Sequence, residues 1–313
     1  MTNVAVSVIV CTYRAGGMDL VFSSLGQQRT NVPWDLVLID DHRSWREKAV
    51  REYAARKGMI DRLVYPEWHP TLDGHDTARA FNTAISHASG DLVIFLCDYS
   101  WVPANWIDLH WGDYLMCQRR ASCVAPARYR APPALDPAFA HLRGGAVGGD
   151  RPDGPRIPPS APAPISLFRD PIEDRSAIDA LAVQSGHQDV KLMRQDGFLP
   201  RDTCCFYFKN ESVPLKLLID LNGVDARYDA GHIHGDTDLH WRMVTAGWNF
   251  FLDKRATSEI VQVRHLMGTQ VFTASLEDNY RIWADRRLDR DLRTPGSNLR
   301  ALWTALHVRE EAR

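Results

Sequence analysis

Three groups of polar residues in this chain follow short apolar runs, where strands of a buried sheet could present them to a ligand. Residues 11–14 (CTYR) follow the run VSVIV, Asp40 and Asp41 follow LVLI, and Asp98 follows LVIFLC. The ligand of a doubly wound sheet lies outside the carboxyl ends of its parallel strands, where the strand order reverses. These residues are therefore expected to line one crevice.

Elements of alternating type must position these groups. The predicted strands contain Val, Ile and Leu without polar alternation, as in strands that are buried on both faces: 6–10, 35–40 and 91–97. Helices are predicted between them, with Ser, Asp or Gly at several of their ends: 18–28, 44–58 and 76–90. This alternation predicts an α/β fold with a mostly parallel sheet flanked by helices.

The second half of the chain is expected to be irregular at first and ordered later. Residues 125–165 are rich in Pro and Gly and are predicted to form a loop, either a functional lid or an insertion without a role. Further elements are predicted after it: strand 202–210, helices 212–223 and 234–248, and strands 250–253 and 259–266. The arginine-rich segment 269–313 is expected to form a C-terminal helical extension packed on the body.

The composition is that of a globular protein and excludes several function classes. Of the 313 residues 45% are hydrophobic, and the net charge of −2 gives no overall field that would attract nucleic acid or an anionic membrane. The six cysteines have no CxxC spacing, so reduced thiols are expected rather than a zinc site or a disulfide scaffold. The apolar runs are too short to cross a membrane. We expect a cytoplasmic protein, with a peripheral location at the membrane as the alternative.

Five segments follow one another in an order that is typical of a known family. They are VSVIVCTYRAG, LVLIDDHRS, FNTAISHASGDLVIFLCDYSWVPANW, HGDTDLHWRMVTAGW and VRHL, while GxGxxG, GxxxxGK[ST] and GxSxG do not occur. Together they resemble the family 2 glycosyltransferases, which have the Rossmann-like GT-A fold. The resemblance implies a GT-A domain at 1–268, with a nucleotide-binding half at 1–115 and an acceptor-binding, catalytic half at 200–268.

The first two segments are implied by this resemblance to bind the nucleotide of a nucleotide-sugar donor, with UDP-sugars expected. Asp41 would accept a hydrogen bond from the uracil edge, with Asp40 nearby. The residues after the first strand would line the base and the ribose: Cys11, Thr12, Tyr13 and Arg14. Carboxylates at strand ends suit this role because they accept hydrogen bonds from base N–H and ribose hydroxyl groups. A turn and a helix cap before Ser44 are the structural alternative for the two aspartates.

The third segment is implied to hold a divalent cation on the donor diphosphate. Family members have a D-x-D motif here, where this chain has Cys97, Asp98 and Tyr99. Asp98 would therefore be the one anionic oxygen ligand, and the resemblance adds His265 as a second metal ligand. A nitrogen ligand beside a carboxylate favours Mn²⁺, with Mg²⁺ as the alternative. A helix cap is the structural alternative for Asp98, and a core or surface histidine is the alternative for His265.

The fourth segment is implied to supply the catalytic base. Asp236 keeps the second acid of the family's pair, whereas Gly235 replaces the first. A carboxylate beside the acceptor hydroxyl can take its proton as the oxygen attacks the anomeric carbon, in a single displacement with inversion. Asp238 is expected to cap the helix or to pair with Arg242. The further candidates for substrate contacts are Cys204, Cys205, His234 and Asp238.

Two other functions are compatible with these residues. The missing acids at Cys97, Tyr99 and Gly235 would suit a nucleotide-sugar-binding protein without turnover. The second alternative is a sugar-phosphate nucleotidyltransferase, although the two glycines and the arginine after the first strand do not match the signature of those enzymes and HGDTDLHWR would have no role. The acceptor is left open among a glycan, a lipid-linked sugar, a small metabolite, a protein and a modified nucleic-acid base. A homodimer is compatible with the sequence.

Overall fold

The computed structural model describes residues 4–69, 77–142, 164–184, 195, 197–200, 203, 207–229, 235–261 and 298–311. The strands in chain order are β1 (Val6–Thr12), β2 (Trp34–Asp40), β3 (Leu63–Val64), β4 (Leu92–Leu96), β5 (Ser100–Trp101), β6 (Ala121–Val124), β7 (Ala127–Arg130), β8 (Gly197–Phe198), β9 (Asn210–Pro214), β10 (Asn249–Leu252) and β11 (Ser258–Val261).

Helices connect and flank these strands. The α-helices are α1 (Met18–Gly26), α2 (Arg43–Arg56), α3 (Thr77–His87), α4 (Trp106–Met116), α5 (Arg175–Asp179), α6 (Leu215–Asp220), α7 (Gly235–Thr245) and α8 (Leu299–Glu311). Short 3₁₀ helices cover Ile60–Arg62, Pro137–Leu142, Ala226–Tyr228 and Lys254–Ala256.

A large sheet has the order β3-β2-β1-β4-β9-β6-β10-β8. β1 is parallel to β2 and β4, whereas β9 is antiparallel to both β4 and β6, and β10 is parallel to β6. The parallel strands β1, β2, β4, β6 and β10 therefore place their carboxyl ends at one edge of the sheet. The predicted α/β class with a mostly parallel sheet is confirmed.

Both faces of this sheet are covered, which explains the unbroken apolar runs in the sequence. Successive side chains of a strand point to opposite faces. On β1, Val8 and Val10 pack in the cluster that includes α1, α2 and α4, whereas Ile9 packs in the cluster that includes α3, α6 and α7. Every residue of β2 and β4 is buried. Strands in such an environment need apolar residues at consecutive positions.

A second sheet of three strands, β5-β11-β7, lies partly in the segment that was predicted to be an irregular loop. β7 pairs in parallel with β11, from Ala127 opposite Ser258 to Arg130 opposite Val261. The prediction of an irregular segment from residue 125 is wrong at residues 127–130, because prolines at 126 and 132 flank this strand without interrupting it. Residues 143–163 of the predicted loop lie outside the described residues.

The boundary between β9 and α6 also differs from the prediction. The sequence predicts a strand at 202–210 and a helix at 212–223, but the strand runs from Asn210 to Pro214 and the helix begins at Leu215. Glu211 pairs with Phe95, and Pro214 with Leu92, in the ladder between β9 and β4. Long-range pairing with a central strand thus overrides the local preference of this segment for a helix.

The C-terminal helix α8 packs on α3. The Trp303 indole N–H donates to the Ala88 carbonyl at 2.9 Å, and the Leu299 amide donates to Asn222 Oδ1 at 3.0 Å. The rest of the predicted extension, 269–297, lies outside the described residues. No helix in the described part of the chain combines the length and the apolar character that a membrane crossing requires.

Truncating a central side chain of β4 tests the packing of the large sheet. Ile94 is fully buried between β1 and β9, so Ile94→Ala is expected to lower the free energy of unfolding by about 2–5 kcal/mol through lost burial and a residual cavity. The matched control is Ile60→Ala, because Ile60 is 38% exposed, and its effect should stay below about 1 kcal/mol. Urea denaturation followed by circular dichroism measures both. Equal effects would contradict the described burial of β4.

Candidate functional site

The carboxyl end of β1 is bound to the carboxyl end of β4. The Thr12 hydroxyl donates to Asp98 Oδ2 at 2.9 Å and accepts the Arg14 amide at 3.2 Å. β1 and β4 are neighbouring parallel strands, so their last residues lie side by side. The two groups that the sequence placed in one crevice are therefore in direct contact.

Asp98 is paired within the protein. Its side chain is 1% exposed, and Arg14 Nη2 lies 2.5 Å from Oδ1. The Cys97 thiol donates to the same oxygen at 3.4 Å. Burial alone would lower the pKa of Arg14, but Asp98 raises it above its ordinary value, so Arg14 stays cationic. A divalent cation on this carboxylate would lie beside the guanidinium and be repelled by it. This arrangement of Asp98 does not fit a metal ligand.

Cys97 and Tyr99 do not replace the missing acids. Burial and the adjacent Asp98 raise the pKa of the Cys97 thiol to about 11, so it is neutral at pH 7. Burial raises the pKa of Tyr99 well above its ordinary value, and its hydroxyl donates to the Ala15 carbonyl. A Cβ at Gly17, which has a φ of +79°, would lie 2.7 Å from the Tyr99 ring. Tyr99 therefore supports the turn after β1 and contributes no anion.

Asp40 is fully buried at the end of β2 and is satisfied by protein donors. Arg46 donates from Nε to Oδ2 and from Nη2 to Oδ1, both at 2.7 Å, and the Tyr65 hydroxyl donates to Oδ2 at 2.7 Å. Burial would raise the pKa of Asp40, but Arg46 and Tyr65 outweigh it and lower the pKa below its usual value. Asp40 has no surface for a nucleotide, and these contacts support a positioning role for it.

Asp41 and Tyr13 are the accessible members of the group. Asp41 is half-buried, accepts the Trp68 indole N–H at 2.7 Å and donates its amide to the Thr12 carbonyl at 3.0 Å. Tyr13 is 49% exposed, and its carbonyl accepts from His42 Nε2 at 2.8 Å. The sequence predicted a role for neither Trp68, which lies outside the five segments, nor His42, which lies within LVLIDDHRS. Cys11 stays a protonated thiol, since burial, Asp41 and Asp98 raise its pKa.

Asp236 lies at the same edge of the sheet by topology. α7 begins at Gly235 and leads into β10, which runs parallel to β1 through β6 and β9. A helix that precedes a parallel strand begins near the carboxyl ends of the strands. Asp236 is half-buried, and its Oδ1 accepts the Thr237 amide at 2.7 Å.

Asp238 has the structural role that the sequence offered as one reading. It is fully buried, and Arg242 Nε donates to its Oδ2 at 2.7 Å. Arg242 also donates to the Leu221 and Gly223 carbonyls, so the pair joins α7 to the turn after α6. This geometry does not support the substrate contact that was also predicted for Asp238.

Four of the predicted site residues belong to segments outside the described part of the chain: Cys204, Cys205, His234 and His265. Across the part of the chain that is described, no group of three or more His, Cys, Asp or Glu side chains could hold a metal ion.

Solved structures share this architecture at low sequence identity. The crystal structure of S. aureus TarS matches with a TM-score of 0.53 and 11% identity over 94% of this chain and 41% of the TarS chain. TarS 1–349 in complex with UDP-GlcNAc matches with a TM-score of 0.51 and 11% identity, over 98% of this chain and 73% of that chain. GalNAc-T7 with UDP, GalNAc and Mn²⁺ matches with a TM-score of 0.55 and 13% identity, over 91% of this chain and 48% of that chain.

The chain has the GT-A glycosyltransferase fold. It spans less than half the length of the TarS and GalNAc-T7 chains. No protein-family model matches the chain, and no curated protein matches its sequence.

Removing the charge of Asp40 tests its structural role. Asp40→Asn leaves Arg46 buried without a charged partner, so the free energy of unfolding at pH 7 should fall by about 3–5 kcal/mol. The pKa of Asp40 is lower in the folded chain than the ordinary value near 3.8, so this contribution is present above that pH and is lost as pH falls through the folded pKa.

The difference between wild type and Asp40→Asn should therefore be constant from pH 7 down to about 4 and shrink below it. Urea denaturation across this range measures it. The matched control is Asp61→Asn, because Asp61 is exposed on a 3₁₀ helix. A loss for Asp40→Asn as small as that of the control would show that the pair does not stabilise the fold.

Proposed function

We propose that this chain is an inverting nucleotide-sugar glycosyltransferase that transfers a sugar from a UDP-sugar to an acceptor hydroxyl. The observation that carries this proposal is that the topology of a GT-A fold puts the ends of β1, β2 and β4 and the start of α7 at the same edge of the sheet. The neighbouring structures of TarS and GalNAc-T7 hold UDP-GlcNAc and UDP, respectively, which supports a UDP-sugar donor.

Asp41 and Tyr13 carry the proposed recognition of uridine. A carboxylate can accept the N3–H of uracil, whereas the N3 of cytosine has no hydrogen to donate. The Trp68 indole holds the Asp41 carboxylate in place, and the Tyr13 ring is 49% exposed at the end of β1 and can contact a base. Cys11 and Thr12 at the end of β1, together with Arg14 beyond it, complete the proposed wall of the nucleotide site. Asp40 positions Asp41 through the end of β2.

Base selectivity tests the role of Asp41. Wild type is expected to bind UDP more tightly than CDP, and Asp41→Asn should reduce this preference by about tenfold or more, as for the loss of a hydrogen bond to a charged group. Isothermal titration calorimetry with both nucleotides measures the ratio. Glu52→Gln is the matched control, because it removes a carboxylate that is 66% exposed on α2. An unchanged ratio in Asp41→Asn would exclude this contact.

Asp236 is the proposed general base. The acceptor oxygen attacks the anomeric carbon, its proton passes to the Asp236 carboxylate, and the bond from that carbon to the phosphate oxygen breaks with its electrons on UDP. Asp236 is held by the Thr237 amide in the first turn of α7, where the helix dipole favours the ionised carboxylate. An attack from the face opposite to the departing UDP inverts the anomeric centre.

Release of UDP tests the proposed base. Full-length protein incubated with a panel of UDP-sugars should release UDP, and Asp236→Asn should slow the release by about 10²–10⁴-fold. UDP affinity should stay within about threefold of wild type, because Asp236 acts on the acceptor. Asp61→Asn, which changes an exposed aspartate, is the control.

The same assay separates the alternatives. A nucleotide-sugar-binding protein without turnover would be stabilised against heat by UDP-sugars and release no UDP. A sugar-phosphate nucleotidyltransferase would form pyrophosphate from UTP and a sugar phosphate. Release that is equal in wild type and Asp236→Asn would remove Asp236 from the mechanism.

A further inference from the structure

Two cations flank Cys97, at the position where the family resemblance places an acid. Arg14 Nη2 lies 3.8 Å from the Cys97 sulfur. On the other side, the Cys97 amide donates to the Lys209 carbonyl at 3.0 Å, one residue before β9 begins. Arg14 and Lys209 both act to lower the pKa of the Cys97 thiol, although burial and Asp98 raise it more. The carboxyl end of β4 is therefore close to two positive charges.

Arg14 has donors that Asp98 does not use. Its Nη2 contacts Asp98 and Cys97, whereas Nε is buried and has no hydrogen-bond partner among the described residues. The side chain is 16% exposed, and Arg14 stands two residues after the end of β1. A guanidinium presents five N–H donors in a planar fork that matches two phosphate oxygens.

Lys209 is a second cation near the end of β4. Its Nζ donates to the Tyr129 hydroxyl at 3.0 Å and lies 4.8 Å from the centre of the Tyr207 ring. Glu211, two residues away, accepts the amides of Lys209 and Asn210. Burial raises the pKa of Glu211 to about 8, so most of it is protonated at pH 7. Within the described part of the chain Lys209 Nζ forms no ion pair with a carboxylate, so its charge can act on a bound anion.

The local charge balance favours a phosphate over a metal ion. At the end of β4, Arg14 lies beside the Asp98 carboxylate, and the positive charges of both Arg14 and Lys209 act on the adjacent Cys97. A divalent cation there would be repelled by Arg14 and Lys209, whereas the negative diphosphate of a nucleotide would be attracted by both side chains. Positively charged side chains thus lie near Cys97, where a D-x-D motif would provide a negatively charged carboxylate.

We propose that Arg14 and Lys209 bind the diphosphate of the donor in place of a divalent cation, so that nucleotide binding is independent of metal. This inference rests on the proposed function, which supplies a nucleoside diphosphate. The two side chains would also stabilise the negative charge that develops on UDP as the bond to the sugar breaks.

Calorimetric titration of the full-length protein with UDP tests metal independence. The dissociation constant in EDTA is expected to lie within about threefold of that in excess Mn²⁺ or Mg²⁺. UDP binding that is seen only with Mn²⁺ or Mg²⁺ would overturn the inference and leave the proposed function standing. If neither UDP nor uridine binds in any buffer, the proposed function fails and this inference fails with it.

Charge variants test the two side chains. Arg14→Gln and Lys209→Gln should each weaken UDP binding in EDTA by about tenfold or more, while uridine, which has no phosphate, keeps its affinity within about threefold. Lys48→Gln is the matched control, because Lys48 is 90% exposed on α2. Equal losses for UDP and uridine, or no loss for UDP, would contradict a diphosphate contact.

The variant Asp98→Asn distinguishes phosphate binding by Arg14 from metal binding by Asp98. Without its carboxylate partner Arg14 is freer to bind phosphate, so UDP binding in EDTA should be kept or tightened. If Asp98 instead held a metal ion, the same variant would lose Mn²⁺-dependent binding of UDP. Because Arg14→Gln alone leaves Asp98 unpaired and can unfold the chain, the double variant Arg14→Gln/Asp98→Asn is measured as well. A folded double variant that binds UDP as tightly as Asp98→Asn would overturn the inference.

Discussion

A carboxylate without exposed surface must be neutralised or satisfied by protein donors, and Asp98 meets this constraint through Arg14, Thr12 and Cys97. Its position at the end of β4 draws the segment after β1 across the edge of the sheet. That segment turns tightly over the Tyr99 ring, where Gly17 leaves room for it. The shape of the crevice at this edge follows from one buried ion pair.

A second buried pair, Asp40 with Arg46, does the same for the end of β2. It fixes the first turn of α2 against the sheet and leaves Asp41, the next residue, half-buried at the crevice. The two aspartates in the LIDD segment therefore differ: Asp40 holds the framework through Arg46, and Asp41 is the residue that we propose to contact the base. On α7, Asp238 is likewise buried in an ion pair with Arg242, whereas the nearby Asp236 is half-buried.

The sequence predicted β1, β2, β4 and the helices α1, α2 and α3 closely, because these strands are buried on both faces and their apolar runs carry that information locally. It misjudged the region around Pro214, where pairing with β4 extends a strand into residues that favour a helix. It also missed β7, whose short run of four residues has a parallel partner about 130 positions away. In both regions the deciding contact is long-range, and local composition does not record it.

The sequence by itself determined which polar residues stand at the ends of strands, since the change from apolar to polar residues marks those ends. It therefore placed Thr12, Asp41 and Asp98 at one edge of a parallel sheet. Only the tertiary structure decided the charge state of that edge. The partner of Asp98 is 84 positions away in the sequence, and Lys209 lies near Cys97 only because β9 pairs with β4. Charge at a site depends on distances between side chains, and these distances are set by strand order.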